Sequence, residues 1–227
     1  GLDNGMELHT YSNLTAAQAI LAAAWGLPFM PTKSLAGTDT GKHCPNFEYV
    51  TDAEGNEYGV VRAAEIDTAI IAVPRADKLG NAQVFATEGM HDRPLGQGAA
   101  DQVIVQAEEI VSTDVTRSDP DRTITENDKV VAVCEAPWGS HPGGMRTKYT
   151  KDVPFQEHIG TRVKEEGYEA VAEDWVHGTE DNAEDNEKYI EECGHDALEA
   201  LEPENHRFSP SVDYSWQDYA DVLGGDD

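Results

Sequence analysis

Read for the spacing of its apolar positions, the chain falls into two halves of different character. The first helical pattern is SNLTAAQAILAAAW, which ends at Trp25. It holds no Gly or Pro; Thr10 or Ser12 stands where an N-cap belongs, and Gly26 lies just past the end. Its Ala-dense face predicts close approach by a neighbouring element. LPFMP follows as a short extended piece pinned by Pro28 and Pro31. FEYVTD, AEGNE and YGVVRA then read as two strands joined by a turn rich in Gly and Asn. Short apolar runs recur as TAIIAV at 68–73, AQVFAT at 82–87, QVIVQAEEIV at 102–111 and KVVAVCEAP at 129–137. Runs without polar alternation predict strands covered on both faces, hence a mostly parallel sheet.

Beyond Val153 the period changes. EHIGTRVKEEGYEAVAEDWV and AEDNEKYIEECGHDALEAL carry helical spacing with acidic outer faces. The order is helix, strands, then helices, which predicts an α/β domain over 1–202 with a helical C-terminal part. Residues 203–227 read as an acidic tail, although Tyr214, Trp216 and Tyr219 give it the means to dock on the body.

Charge narrows the function classes. Among 227 residues, 44 Asp and Glu stand against 16 Lys and Arg, a formal net charge of −28. Phosphate-backbone binding and anionic lipid both need the opposite excess, so no nucleic-acid or membrane partner is expected. The acidity is dispersed along the chain, not gathered in one block, with only eight Lys. That pattern predicts a protein adapted to multimolar salt, where screening removes self-repulsion. The longest apolar runs fall far short of a membrane span, and GLDNGMELHT has no secretory character. Cys44, Cys134 and Cys193 are odd in number and widely spaced, which favours a reducing cytoplasm over a disulfide framework. Without a CxxC or HxxxH pair, no structural zinc is expected.

Four ordered stretches carry a family resemblance: YSNLTAAQAILAAAWGLPFMPTKSLAGTDT at 11–40, DTAIIAVPRADKLGNAQVFA at 67–86, ADQVIVQAEEIVSTDVTR at 100–117 and VVAVCEAPWGSHPGG at 130–144. Together they resemble the A (alpha) subunit of family I CoA-transferases of the glutaconate type. The resemblance implies an open, mostly parallel α/β sheet flanked by helices, paired with a similar B subunit in a hetero-oligomer. It also implies further N-terminal strands and a Gly-rich turn ahead of Gly1. The implied reaction moves CoA from an acyl-CoA to a small carboxylic acid through a glutamyl thioester. That glutamate belongs to the B subunit, so no catalytic nucleophile and no bound cofactor is expected here; the CoA thioester is substrate. The same fold also serves CoA-thioester and ring-opening hydrolases, and a non-catalytic truncated subunit is a third reading.

The candidate substrate-binding residues lie in loops, each with a plainer reading beside it. In SLAGTD, Gly37 would admit the backbone to substrate and Thr38 would bond a carboxylate; otherwise this is an ordinary turn. In ADKLGN, Asn81 would face the cleft, or the segment is a turn using positive φ at Gly80. In APWGSHPGG, which follows a strand, Gly139 and Ser140 would donate hydrogen bonds and His141 would orient the loop, or His141 merely caps the turn. Ser12 is a helix cap; the resemblance adds that related ring-opening hydrolases carry a catalytic glutamate near this position and transferases a small polar residue. Glu108 and Glu109 read as a buried hydrogen-bond anchor and its solvated neighbour. Cys134 reads as core, and His158, His177 and His195 as surface residues.

Overall fold

The computed structural model describes residues 8–85, 92–125, 127–175 and 182–202. The chain divides into two compact units: 1–69 with 89–103, and 70–88 with 104–227. The tail from 203 and His177 lie outside the described residues.

The first unit opens with α1 (Asn13–Ala24). Ser12, not Thr10, is the cap: its hydroxyl accepts the Thr15 N–H at 3.1 Å, while the Thr15 hydroxyl accepts the Ser12 N–H at 3.0 Å. The helix stops where Gly26 turns to φ +67. There the Leu27 N–H reaches Ala22 O and the Gly26 N–H reaches Ala23 O, which satisfies two end carbonyls. β1 (Phe29–Pro31), α2 (Asp39–His43), β2 (Phe47–Thr51) and β3 (Glu57–Arg62) follow. The three strands form an antiparallel sheet in the order β1-β3-β2, with Val60 and Val61 fully buried. The expected two-strand turn is present; Asp52 accepts the N–H groups of Glu54 and Asn56, and Gly55 takes φ +88. The chain then enters β4 (Thr68–Val73), β5 (Arg75–Asp77) and β6 (Ala82–Gln83), and α3 (Asp92–Ala99) returns to the first unit. The Ala-rich face admits close packing as expected: a Cβ on Gly98 of α3 would stand 3.0 Å from the Ala24 methyl.

β4 and β7 (Gln102–Ala107) continue from the first unit into the second. β8 (Ile110–Val111), α4 (Thr113–Ser118) and β9 (Val130–Glu135) follow. β4, β7 and β9 form one sheet in that order. The Gln102 N–H bonds Asp67 O and the Glu108 N–H bonds Val73 O, the same offset at both ends, so this pair is parallel, as the apolar runs predict. Ala69, Ile71, Val73, Val103, Val105 and Ala107 bury one face.

The structure corrects three strand-level expectations. QVIVQAEEIV is two strands: β7 pairs with β4, whereas β8 pairs in parallel with β5, in a second sheet ordered β6-β5-β8. Pairing shifts register there: the Glu108 N–H still reaches Val73 O, whereas beyond Pro74 the Ala76 N–H reaches Glu109 O. AQVFAT is strand only at Ala82–Gln83, and its end lies outside the described residues. Among the described residues Ile70 and Val131 are 68% and 60% exposed, and Cys134, on the outer strand β9, is exposed instead of core.

α5 (Val153–Glu166), α6 (Tyr168–Trp175), α7 (Asn182–Cys193) and α8 (His195–Glu199) follow in the second unit. Asp152 caps α5 by accepting the Phe155 N–H at 2.9 Å, and Gly167 at φ +93 ends it. His158 and His195 are exposed, as expected.

Candidate substrate-binding loops

In the first unit, Ser12 does more than cap. Its hydroxyl lies 2.7 Å from that of Ser34, which ties the start of α1 to the 34–38 turn. Leu35 sits at φ +67 with its side chain buried against Cys44, Phe47 and Tyr11. Its carbonyl accepts the Thr38 hydroxyl at 2.7 Å, and the Thr38 oxygen caps α2 by accepting the Gly41 N–H at 3.1 Å. The Thr38 hydroxyl is therefore spent on the turn itself. Gly37 is exposed at φ +71, with open space where a Cβ would point; its N–H donates to the Tyr49 hydroxyl at 3.0 Å.

In the second unit, Asn81 is committed inward. The buried Asp77 carboxylate accepts its side-chain N–H at 2.7 Å, its backbone N–H at 3.0 Å and the Leu79 N–H at 2.9 Å. The Thr116 hydroxyl adds a fourth bond at 2.7 Å. Burial works to raise the Asp77 pKa, but these donors win and hold it below the ordinary carboxylate value. Gly80 takes φ +89 in this turn.

The 136–144 loop leaves the carboxyl end of β9 and is organised by Glu108 at the carboxyl end of β7. The Trp138 N–H donates to Glu108 at 2.7 Å and the Tyr149 hydroxyl at 2.5 Å. That hydroxyl in turn accepts the Ser140 N–H at 3.1 Å, and the Trp138 and Tyr149 rings stack with centroids 4.3 Å apart. Burial pushes the Glu108 carboxyl up against these bonds; burial, then the Glu108 contact, pushes the Tyr149 hydroxyl up. Glu109 is exposed beside Lys148, so the anchor-and-neighbour reading of this pair holds. Gly139 tolerates no side chain, since a Cβ would stand 1.9 Å from Gln106 Nε2 and 2.7 Å from Ala136 O. The His141 ring is buried, its Nδ1 2.7 Å from the Tyr189 hydroxyl and its Nε2 3.2 Å from the Asp152 carboxylate. It pins the loop to α5 and α7, beyond a local turn cap.

Rigid backbone turns at the carboxyl end of a parallel sheet suit the recognition of an acyl or carboxylate group by N–H donors. Residues 1–136 match the coenzyme A transferase family. The chain belongs to that family. Within it, 172 residues are 39% identical to an uncharacterized protein of Archaeoglobus fulgidus, covering 75% of this chain and 38% of that one. The A subunit of 3-oxoadipate CoA-transferase from Pseudomonas knackmussii is 28% identical, over 84% of this chain and 67% of its own. The A subunit of glutaconate CoA-transferase from Acidaminococcus fermentans is 29% identical, over 76% and 58%. The crystal structure of glutaconate CoA-transferase from that organism superposes with a TM-score of 0.74 at 25% identity, over 89% of this chain and 66% of that chain. The chain thus spans between about two fifths and two thirds of the length of these relatives.

Sequence reasoning missed Tyr149, Asp152 and Tyr189, which hold the 136–144 loop, and Gln106, which stands against Gly139. Only Asp152 had a signal: an Asp two residues before Pro154 marks a helix start. The others act across the fold.

Proposed function

We propose that the chain is the A-type portion of a heteromeric CoA-transferase that moves CoA between an acyl-CoA and a small carboxylic acid. The family match over residues 1–136, on a fold that superposes on glutaconate CoA-transferase, carries this reading. In the proposed reaction the thioester is attacked by a glutamate carboxylate of a B subunit, giving a mixed anhydride and CoA thiolate. The thiolate returns to form an enzyme glutamyl thioester and releases the first acid, and the acceptor carboxylate then repeats the sequence in reverse.

This chain's part is to bind and orient. Each unit carries its own proposed substrate-binding groups: Gly37 with Ser12 and Thr38 in the first unit, and Gly139 and Ser140 with Asn81 and His141 in the second. The side chains of Ser12, Thr38, Asn81 and His141 are engaged within the protein, as are the N–H groups of Gly37, Gly139 and Ser140, so a substrate would have to compete with the Tyr49 hydroxyl, Ala136 O or the Tyr149 hydroxyl for them. The dispersed acidity supports a salt-adapted protein, and three free cysteines support a reducing cytoplasm. No helix among the described residues is long and apolar enough to cross a membrane.

The test is reconstitution with an acyl-CoA, a carboxylate acceptor and a B-type subunit. Acceptor-dependent CoA transfer, with a glutamyl-CoA thioester trapped on the B-type partner, is the expected result. Acceptor-independent hydrolysis, or transfer by this chain alone, overturns it.

A further inference from the structure

Arg75 is a partly buried arginine with no carboxylate in ion-pair contact among the described residues, although Asp119 and Glu109 attract its charge from farther off. It opens β5, immediately after Pro74 at the carboxyl end of β4. Its Nε donates to Gln83 Oε1 at 2.8 Å, a neutral acceptor. The nearest acids are already engaged: Asp119 pairs with Arg122, and Glu109 with Lys148. A second cation makes the case sharper. Arg75 and Arg122 both lie over the Phe85 ring, 4.6 and 4.8 Å from its centroid. Burial and the neighbouring Arg122 push the Arg75 pKa down, against the pull of Asp119 and Glu109, and the arginine stays charged. A partly desolvated cation facing another cation gains when an anion joins it.

The geometry is also built in advance. The Gln83 amide is fully buried, and its Nε2 donates to Thr116 O and Asp119 O, both at 2.8 Å. That leaves Oε1 no choice but to face Arg75. Gln83 thus fixes one edge of the guanidinium and Phe85 its plane. Among the described residues the two terminal nitrogens form no hydrogen bond with protein, and they are the pair that grips an oxyanion through two parallel bonds. Arg75 follows the carboxyl end of β4 as the 136–144 loop follows that of β9, the two outer strands of the sheet β4-β7-β9.

We infer that Arg75, aligned by Gln83 and Phe85 and backed by Arg122, is a binding site for an oxyanion group, a carboxylate or a phosphate, on a small-molecule ligand. Such a site goes beyond the transferase reading and does not depend on it, because its readout is binding.

The experiment titrates the full chain with sodium phosphate, sodium acetate and coenzyme A by calorimetry at constant ionic strength. The variants are Arg75→Gln, Arg75→Lys and, as control, the exposed Arg62→Gln. Wild type and Arg62→Gln are expected to bind at least one of these anions alike, and Arg75→Gln about tenfold or more weakly, the loss of charged hydrogen bonds. Arg75→Lys keeps the charge but loses the planar fork, so it too weakens about tenfold; it carries the test if Arg75→Gln does not fold. Binding of phosphate or coenzyme A without acetate identifies the phosphate of a thioester carrier; binding of acetate identifies the acid. Absence of binding by all three, or wild-type affinity in Arg75→Lys and Arg75→Gln, overturns the inference.

Discussion

The Tyr149 hydroxyl donates to the Glu108 carboxylate at 2.5 Å while accepting the N–H of Ser140 at 3.1 Å. One side chain at a strand end thereby sets the backbone position of a loop 30 residues away in sequence. Glu108→Ala leaves the Trp138 N–H and the Tyr149 hydroxyl without their acceptor, a loss of about 2 kcal/mol. Thermal unfolding of the variant is expected some 4–8 °C below wild type. Tyr149→Phe keeps the Trp138 bond and is expected to lose about half as much. Equal losses in the two variants would mean that Glu108 acts only through Tyr149.

Two carboxylates in the second unit titrate with opposite sign. Burial raises Glu108 above its ordinary 4.5. Its favourable contribution is complete below that value and is lost as pH rises through the folded-state pKa. Hydrogen bonds hold Asp77 below its ordinary 3.8 against the opposing effect of burial. Its contribution is present above 3.8 and is lost as pH falls through the lower folded-state value. Denaturant unfolding across pH should therefore show wild type losing its advantage over Glu108→Gln as pH rises from 4.5 toward neutrality. The advantage over Asp77→Asn should instead shrink below pH 3.8. Slopes of the same sign in both comparisons would contradict the assignment.

His141→Ala removes a buried ring that joins Tyr189 and Asp152. Under the transferase reading, the reconstituted enzyme should lose about tenfold or more in turnover, because the loop backbone shifts relative to substrate. Near-wild-type turnover would remove His141 from the site.

Two glycines separate conformational strain from collision. Gly37→Ala places a Cβ in open space at φ +71, so it should cost only the left-handed penalty, about 1 kcal/mol. Gly139→Ala drives a Cβ into Ala136 O at 2.7 Å as well as Gln106, which should cost about 2 kcal/mol or more. Denaturation midpoints of the two variants rank them directly.

Salt tests the charge reading. With a net charge of −28, the folded state repels itself at low ionic strength. The melting temperature should climb from about 0.1 M to multimolar KCl as screening shortens the range of that repulsion. A flat or falling profile would exclude salt adaptation.

Local chemistry was enough for the elements. Thr10 or Ser12 marked a helix start, Gly26 a helix stop, the Gly and Asn of 54–57 a strand turn, and the apolar runs the parallel strands β4 and β7, because each signal acts over a few residues. The resemblance of four ordered stretches was likewise carried by the sequence alone. What tertiary structure decided is partner choice. The run 102–111 breaks in two because β7 pairs with β4 whereas β8 pairs with β5 in a different sheet. Cys134 is exposed on β9, the outer strand of its sheet among the described residues, which its own apolar neighbours do not reveal. Glu108, Tyr149 and Ser140 meet, as do Gln83, Arg75 and Phe85, only after the strands align. A hydrogen bond depends on distance in space, and linear spacing carries no record of which distant donor will arrive.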